Sequence, residues 1–193
     1  VCYTGTGSAT TVTHNLGVAP EFMMVKERNG TNSWYGYAAS EGATKGRGWN
    51  SSNGFLTISS LWNDTAPTSS VFTVGTAAAT NGSGQKFVAY LFASCPGVSK
   101  VGSYSGTGAT QTISCGFAAR FVLIKRTDDV GDWWIWDTAR GMTSGTDPRL
   151  ALNSTNAETN ANWVYTDASG FQIVTTDADV NASGGTYIYL AIA

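Results

Sequence analysis

The chain has few charged residues, one histidine and no long apolar run, and each scarcity excludes a class of protein. Its 11 Lys and Arg do not cluster and its net charge is -2, so we expect neither a nucleic acid partner nor an anionic membrane partner. The longest apolar runs, such as residues 87–93, fall far below the ~18 residues of a membrane-spanning helix, so no membrane insertion is expected. The chain has neither a signal peptide nor an initiator Met, so Val1 suggests a processed product or part of a longer chain.

Groups that carry catalysis are also scarce. His14 is the only histidine, and no GxSxG or HExxH spacing occurs, so we expect no enzyme activity, no catalytic residues and no cofactor. The absence of a CxxC motif argues against structural zinc. Acidic pairs such as Asp177 with Asp179, and Asp128–Asp129 with Asp132, suit either calcium or ordinary turns, and turns are the commoner use. We therefore predict no metal site.

Three cysteines, Cys2, Cys95 and Cys115, form an odd set. Cys2 opens the first strand of the first half and Cys95 follows its last strand, so a disulfide is possible if these strands are neighbours. The alternative is three small, buried or half-buried thiols.

An internal repeat organises the chain. Residues 104–108 (YSGTG) repeat residues 3–7 (YTGTG) at an offset of 101, and residues 121–126 (FVLIKR) match residues 22–27 (FMMVKE) at an offset of 99. The two ends also agree, because residues 181–193 match residues 81–93. We therefore predict two tandem domains, residues 1–97 and 98–193.

Composition predicts the fold of each repeat. The 23 glycines and the abundant Thr, Ser and Asn between short apolar runs favour strands and turns over helices. Counting runs gives seven or eight short strands per repeat. The predicted fold is all-β, with two tandem antiparallel β-sandwiches, immunoglobulin-like or jelly-roll-like, joined by residues 94–103 with a hinge at Pro96-Gly97.

Two paired features have competing interpretations. Lys26 and Lys125 end strands that are apolar on both faces, and the simpler prediction packs each stem on the sheet with its ammonium group in water. In residues 133–137 (WWIWD), alternation places Trp134 and Trp136 on one face. Such aromatics fit a sugar-stacking platform, but cross-strand core packing is the simpler explanation.

The repeats differ most in residues 39–69 and 138–170, where tryptophans stand among polar residues. Trp49, Trp62 and Trp163 are the candidate receptor-binding residues, because loops carry recognition and Trp supplies contact area at a low entropic cost. The alternative is that these side chains plug the ends of the sandwiches. The six Asn-x-Ser/Thr sites are Asn29, Asn50, Asn63, Asn81, Asn153 and Asn181, a number expected by chance in this composition.

The combined pattern of the YxGxG motif, residues 15–22 (NLGVAPEF), a Trp strand and residues 81–84 (NGSG) before a closing aromatic strand resembles a known family. It is similar to a repeated domain of bacteriophage virion proteins, mostly tail fibre and related surface proteins of phages of marine bacteria and cyanobacteria. The resemblance covers nearly the whole chain. Residues 115–120 (CGFAAR) depart from it, because they lack the Leu-Gly-x-x-Pro turn.

The resemblance implies a structural protein on the virion surface, most simply a tail fibre segment that displays loops toward a host glycan or protein. Its partners would be other virion proteins, and such proteins are commonly homo-oligomers, often trimers. One alternative is a capsid decoration or head-fibre protein. Another, from a different class, is a lectin-like carbohydrate-binding module of a larger enzyme, which would have a similar composition.

Overall fold

A computed structural model describes residues 1–193 as an all-β chain with two compact units. The first unit comprises Val1–Asn50 and Phe55–Ala93, and the second comprises Ser51–Gly54 and Ser94–Ala193. The predicted boundary at residue 97 thus lies four residues beyond the observed one at Ala93. The short segment Ser51–Gly54 groups with the second unit, which the repeat alone did not indicate.

The first unit contains eight strands and two single-turn helices. In chain order they are β1 (Cys2–Thr4), β2 (Thr10–Thr13), β3 (Phe22–Glu27), β4 (Tyr35–Ala38), β5 (Lys45–Gly48), β6 (Leu56–Thr57), α1 (Ser59–Trp62), β7 (Val71–Val74), α2 (Ala78–Asn81) and β8 (Lys86–Phe92). Six strands form an antiparallel sheet in the order β1-β8-β3-β4-β5-β6, and β2 pairs with β7 in a second sheet.

The second unit repeats this plan with nine strands and one single-turn helix. They are β9 (Ser99–Ser105), β10 (Gln111–Ser114), β11 (Phe121–Arg126), β12 (Trp133–Asp137), β13 (Asp147–Ala151), β14 (Thr159–Ala161), β15 (Val164–Asp167), β16 (Gly170–Ile173), α3 (Ala178–Asn181) and β17 (Thr186–Ile192). The large sheet has the order β14-β13-β12-β11-β17-β9, and the small sheet has the order β10-β16-β15. None of the three helices, each four residues long, is long and apolar enough to cross a membrane.

Each unit packs its core between a large and a small sheet, which confirms the predicted tandem antiparallel sandwiches. In the first unit Val25 and Phe87 from the large sheet meet Phe72 from the small one. In the second unit Ile124 from the large sheet and Phe171 from the small one belong to the corresponding core. These side chains are fully buried, and burial of apolar area is the main term that stabilises such a sandwich.

The sequence motifs that the two halves share provide contacts between buried asparagine side chains and the backbone, not a surface site. The Thr6 backbone N–H donates to Asn81 Oδ1 at 2.8 Å, and the Thr107 N–H donates to Asn181 Oδ1 at 2.9 Å. Both asparagine side chains are fully buried, so the glycosylation sequences that begin at Asn81 and Asn181 are inaccessible in the folded chain. The spacing that the two halves share therefore serves the fold.

The two repeated lysines have different environments, and the prediction was wrong for one of them. The half-buried Lys26 donates from Nζ to the carbonyl oxygens of Gly30 and Asn32, at 3.2 and 2.7 Å. Lys125 is instead fully buried, and its Nζ donates to the carbonyls of Ser52 and Gly131 at 2.9 and 2.7 Å. Carbonyl dipoles replace water around the Lys125 ammonium group, so this lysine is part of the interior.

The predicted linker needs correction. Most of residues 94–103 belong to the second unit's sheet, because β9 starts at Ser99 and pairs along its whole length with β17. Pro96-Gly97 lies in a tight turn closed by a bridge between Cys95 and Ser99, with Gly97 at φ 72°. This segment is therefore a turn into a strand rather than a free hinge.

The cysteine predictions also need correction. All three cysteines are free thiols, and the possible Cys2–Cys95 disulfide is absent. Cys2 lies opposite Val88 in β8, while Cys95 is engaged in the turn before β9. Cys115 is half-buried as the alternative expected, but Cys2 and Cys95 are exposed because neither points into a core.

Candidate functional site

The only histidine is a structural residue. The Leu16 backbone N–H donates to His14 Nδ1 at 3.3 Å, so the ring proton is on Nε2, which lies 3.2 Å from the carbonyl oxygen of Thr68. His14 is 6% exposed and its ring packs on Phe72. Both ring nitrogens thus hold loop backbone in place.

The acidic pairs have protein partners, which favours the turn interpretation over calcium. Asp128 is paired with Arg126, whose Nε lies 3.1 Å from Asp128 Oδ1. Asp177 caps α3 by accepting the Asp179 N–H at 2.9 Å. No group of three or more His, Cys, Asp or Glu side chains could hold a metal ion.

Two of the three candidate tryptophans are core residues. Trp49 is 6% exposed and meets Phe22 edge to face at 5.4 Å, and Trp62 is 1% exposed and meets Tyr37 in the same way at 6.0 Å. A receptor cannot reach these rings in the folded chain. The alternative, that they plug the sandwich, describes Trp49 and Trp62 better than receptor binding does. Trp163 differs, because it is only half-buried.

Trp163 lies in a stack that we call the Trp163 cluster, formed by Trp134, Arg149 and Trp163. The Arg149 guanidinium carbon lies 3.2 Å from the centroid of the Trp163 ring and 4.5 Å from that of Trp134. The two indole rings meet edge to face with their centroids 5.7 Å apart. All three side chains are half-buried, so part of the cluster is in contact with solvent. This arrangement is a cation–π stack of the kind that fixes side-chain positions.

The rest of the aromatic strand is mostly interior. Trp133 and Trp136 are fully buried, as the core interpretation of this strand predicts. Trp134 is the exception, because it lies next to Trp136 and continues the aromatic surface outward to Trp163. The alternation placed Trp134 and Trp136 on one face correctly, but it did not show that their exposure differs.

A buried carboxylate fixes the backbone that carries Trp163. Asp147 is fully buried and accepts hydrogen bonds from the backbone N–H groups of Trp163 and Val164, both 2.9 Å away, and from Trp136 Nε1 at 2.8 Å. Burial raises the pKa of Asp147, and these donors oppose that rise. Asp147 therefore joins β13 to the start of β15 and sets the position of the Trp163 ring.

Two further carboxylates lie beside the Trp163 cluster. Trp134 Nε1 donates to Asp179 Oδ2 at 2.7 Å, and Asp177 lies at the start of the same short helix, α3. Burial lowers the pKa of Arg149, while the charges of Asp177, Asp147 and Asp179 act in the opposite direction. The cation of the cluster is thus surrounded by negative charge.

The first unit fills the corresponding space with apolar side chains. The register of β4 with β5 places Gly46 opposite Tyr37, the position that Arg149 takes opposite Trp136 in the second unit. A Cβ atom on Gly46 would lie 2.4 Å from Leu61 Cδ1 and 3.2 Å from Trp62 Nε1. The space next to this strand position is therefore filled by α1 in the first unit and by the Trp163 cluster in the second unit.

The sequence interpretation missed Arg149 as a member of the site, and for Trp134 it preferred core packing over a sugar-stacking platform. The repeat does not single out Arg149, because aligning Gly46 with Arg149 requires an offset of 103 that falls in the poorly matched segment. Strand alternation could have indicated that Arg149 lies near Trp134, because Arg149 and Ala151 share a face of β13 and Ala151 pairs with Trp134.

The profile of one protein family, described as a domain of unknown function (DUF7483), matches residues 1–193. No curated protein and no solved structure matches the chain.

Proposed function

The chain belongs to the family described as a domain of unknown function (DUF7483). Since that description gives no role, we propose one from the chain's own residues. We propose that it is a structural protein of a bacteriophage virion surface, a tail fibre segment that binds a host receptor. The binding surface is the Trp163 cluster of the second unit. This role is non-catalytic.

The observation that carries the proposal is the contrast between two copies of one scaffold. Both units keep the same buried asparagine network and the same large sheet, so the scaffold is held constant. They differ where the first unit buries Trp62 at 1% exposure and the second leaves Trp163 only half-buried. An aromatic stack held at the surface costs folding stability relative to a buried one, and ligand binding is a physical reason to retain it.

The setting on a virion is supported by composition and by the resemblance of the motifs to fibre domains. Low charge, many threonines and glycines, and a core of two sandwiches suit an exterior protein for which rigidity matters. Asp147 holds the Trp163 backbone and Arg149 stacks on its ring, so we expect little loss of side-chain entropy when a ligand binds.

Competition for host cells tests the proposal. The purified chain is added to cells before the phage that carries it, and adsorption is measured by counting unbound particles. We expect the unmodified chain to block adsorption and Trp163→Ala to block it at least about tenfold less well, as for loss of an aromatic anchor. Tyr90→Ala is the matched control, because Tyr90 is a 48% exposed aromatic residue of the first unit.

Equal blocking by Trp163→Ala and the unmodified chain would contradict the assigned surface. Cryo-electron microscopy of the particle tests the setting separately. Density at a tail tip is expected, whereas density repeated over the capsid lattice would identify a decoration or head-fibre protein. A catalytic domain elsewhere in the same gene would favour the carbohydrate-binding module.

A further inference from the structure

We propose that the ligand of the Trp163 cluster is an uncharged glycan. The inference rests on the proposed receptor-binding function and specifies the ligand class of that same surface. It follows from the charge around Arg149, from the free acceptor atoms beside the rings, and from the polar chain segment that borders the cluster.

The charge around the cluster disfavours an acidic ligand. Arg149 is the cation of the cluster, and the carboxylates of Asp147, Asp177 and Asp179 are close enough to act on its pKa. Arg126 is a second cation near α3, because its Nη1 donates to the carbonyl oxygen of Ala178 at 3.3 Å. Three carboxylates outnumber these two guanidinium groups, so the local charge is negative and a carboxylated or sulfated sugar would be repelled here.

The same carboxylates suit the hydroxyl groups of a neutral sugar. Asp177 uses Oδ1 to cap α3, and Asp179 uses Oδ2 to hold the indole of Trp134. The second oxygen of each carboxylate has no hydrogen-bond partner in the protein, and both residues are half-buried, so solvent still reaches them. A hydroxyl that donates to a carboxylate makes a charge-assisted hydrogen bond, which is stronger than a neutral one.

The rings supply the apolar half of sugar recognition. Sugars present a face of C–H groups that packs on indole, and Trp163 and Trp134 provide two half-buried indoles within 5.7 Å of each other. Arg149 covers one face of each ring, so the sugar packs on the ring surface that remains exposed to solvent. Arg149 and Asp147 fix the Trp163 ring and its backbone before any ligand arrives. Binding then costs little ordering of the protein.

The surroundings favour a glycan over a protein receptor. Residues 154–162 (STNAETNAN) precede Trp163 and contain no large apolar side chain, and most of them are exposed. A stable protein interface buries about 800 Å² on each partner around an apolar centre. A short aromatic stack bordered by hydroxyl and amide groups instead matches a ligand rich in hydroxyls.

Native affinity electrophoresis tests the inference with the full 193-residue chain. One set of gels contains a neutral polysaccharide (dextran, laminarin or galactomannan). A second set contains an acidic polysaccharide (dextran sulfate or alginate). We expect retardation by a neutral polymer and none by the acidic ones. Trp163→Ala should weaken the retardation at least about tenfold, and Tyr90→Ala should leave it unchanged.

A variant that lacks the charges of Asp177 and Asp179 tests whether these carboxylates favour a neutral ligand over an acidic one. The double variant Asp177→Asn with Asp179→Asn keeps the cap of α3 and an acceptor for Trp134, because Asn caps helices as well as Asp does. It should weaken binding to a neutral polymer, since charge-assisted hydrogen bonds are lost. Stronger binding of this variant to dextran sulfate alone, with no binding of any neutral polymer, would overturn the inference.

Treatment of the host cells separates this inference from the proposed function. Periodate destroys glycans and protease destroys protein receptors. Binding of the labelled chain to the cells that depends on Trp163 and is lost after periodate supports both proposals. Binding that depends on Trp163, survives periodate and is lost after protease keeps the receptor-binding function and overturns the glycan. Binding that is independent of Trp163 overturns both.

Discussion

Asn81 of the first unit and Asn181 of the second make the same three side-chain hydrogen bonds in their respective sandwiches. Each Oδ1 accepts a threonine N–H, from Thr6 or Thr107, and each Nδ2 donates to two backbone carbonyls at 2.6–2.8 Å. Each side chain therefore ties the turn after the first strand of its unit to the segment before the closing strand.

Replacement of this asparagine is the first prediction. Asn181→Ala removes the partner of the Thr107 N–H, of the Gln111 side-chain amide and of two backbone carbonyls at a fully buried position, so it should lower the free energy of unfolding by about 2–4 kcal/mol. Urea unfolding followed by tryptophan fluorescence measures the loss. Asn50→Ala, at an exposed position, is the control and should change stability by less than about 0.5 kcal/mol. Similar losses for the two variants would contradict the role of Asn181.

The glycine before this asparagine contact gives the second prediction. A Cβ atom on Gly106 would lie 2.2 Å from the carbonyl oxygen of Ala182 and 2.9 Å from the carbonyl carbon of Asn181. Both are backbone atoms, so relief requires movement of the chain. Gly106→Ala should destabilise the protein by about 1–3 kcal/mol. Ser105→Ala, at the exposed neighbouring position, should be close to neutral, and thermal unfolding of both variants makes the comparison.

The sequence indicated a strand where β-branched or apolar residues run together, and it gave no signal where hydrogen bonding to neighbouring strands alone makes a strand. The β-branched run in β2 and the apolar run in β3 identify their strands directly. By contrast β5 reads Lys45-Gly46-Arg47-Gly48, with two glycines and two cations, and no propensity marks it as a strand. It is one because β4 and β6 hydrogen-bond to it on either side.

The candidate site was predicted only in part, for a related reason. Trp163 could be selected because it stands among polar residues, but Trp49 and Trp62 satisfied the same criterion and are buried. Whether a loop tryptophan is exposed depends on what fills the space beneath it, which is Leu61 in one unit and Arg149 in the other. That difference is a tertiary property, and composition around the tryptophan does not contain it.

Acid stability is the third prediction, and it concerns Asp128. Its hydrogen bond with Arg126 is the largest cause that lowers the pKa of Asp128 to about 2. A carboxyl with a lowered folded-state pKa stabilises the fold above its unfolded value of about 3.9, and that stabilisation is lost as pH falls toward 2. Asp128→Asn should therefore be less stable than the unmodified chain at pH 6, and the difference should vanish at pH 2. Urea unfolding across pH 2–6 checks this, and a constant difference would contradict it.

Asp147 gives the fourth prediction, with the opposite sign. Burial raises its pKa in the folded chain, so the folded state binds a proton more readily than the unfolded state does. The contribution of Asp147 to stability is then greatest below its unfolded pKa of about 3.9 and decreases as pH rises through the raised folded value. Asp147→Asn should remove this decrease, which urea unfolding at a series of pH values measures.

A structural readout accompanies that pH profile. The amide side chain introduced by Asp147→Asn retains one acceptor oxygen for the donors of Trp163, Val164 and Trp136, where the carboxylate offered two. Trp163 should become more mobile, which acrylamide quenching of tryptophan fluorescence detects as increased accessibility. Unchanged quenching together with an unchanged pH profile would show that Asp147 does not hold the Trp163 segment.

The fifth prediction compares the two tryptophans that close the sandwiches. Trp62 is 1% exposed, so Trp62→Ala creates a cavity and should lower the free energy of unfolding by about 3–5 kcal/mol. Trp163 is half-buried, and its removal loses the cation–π stack with Arg149, worth roughly 0.5–2 kcal/mol, and a smaller part of the core packing than Trp62 provides, so its loss should be the smaller of the two. Urea unfolding of the two variants measures both losses. Equal losses would make Trp163 a core residue like Trp62, and a loss of binding in Trp163→Ala could then be caused by a damaged fold. A loss near the smaller value leaves the scaffold intact, so that the same variant isolates the contact with the ligand.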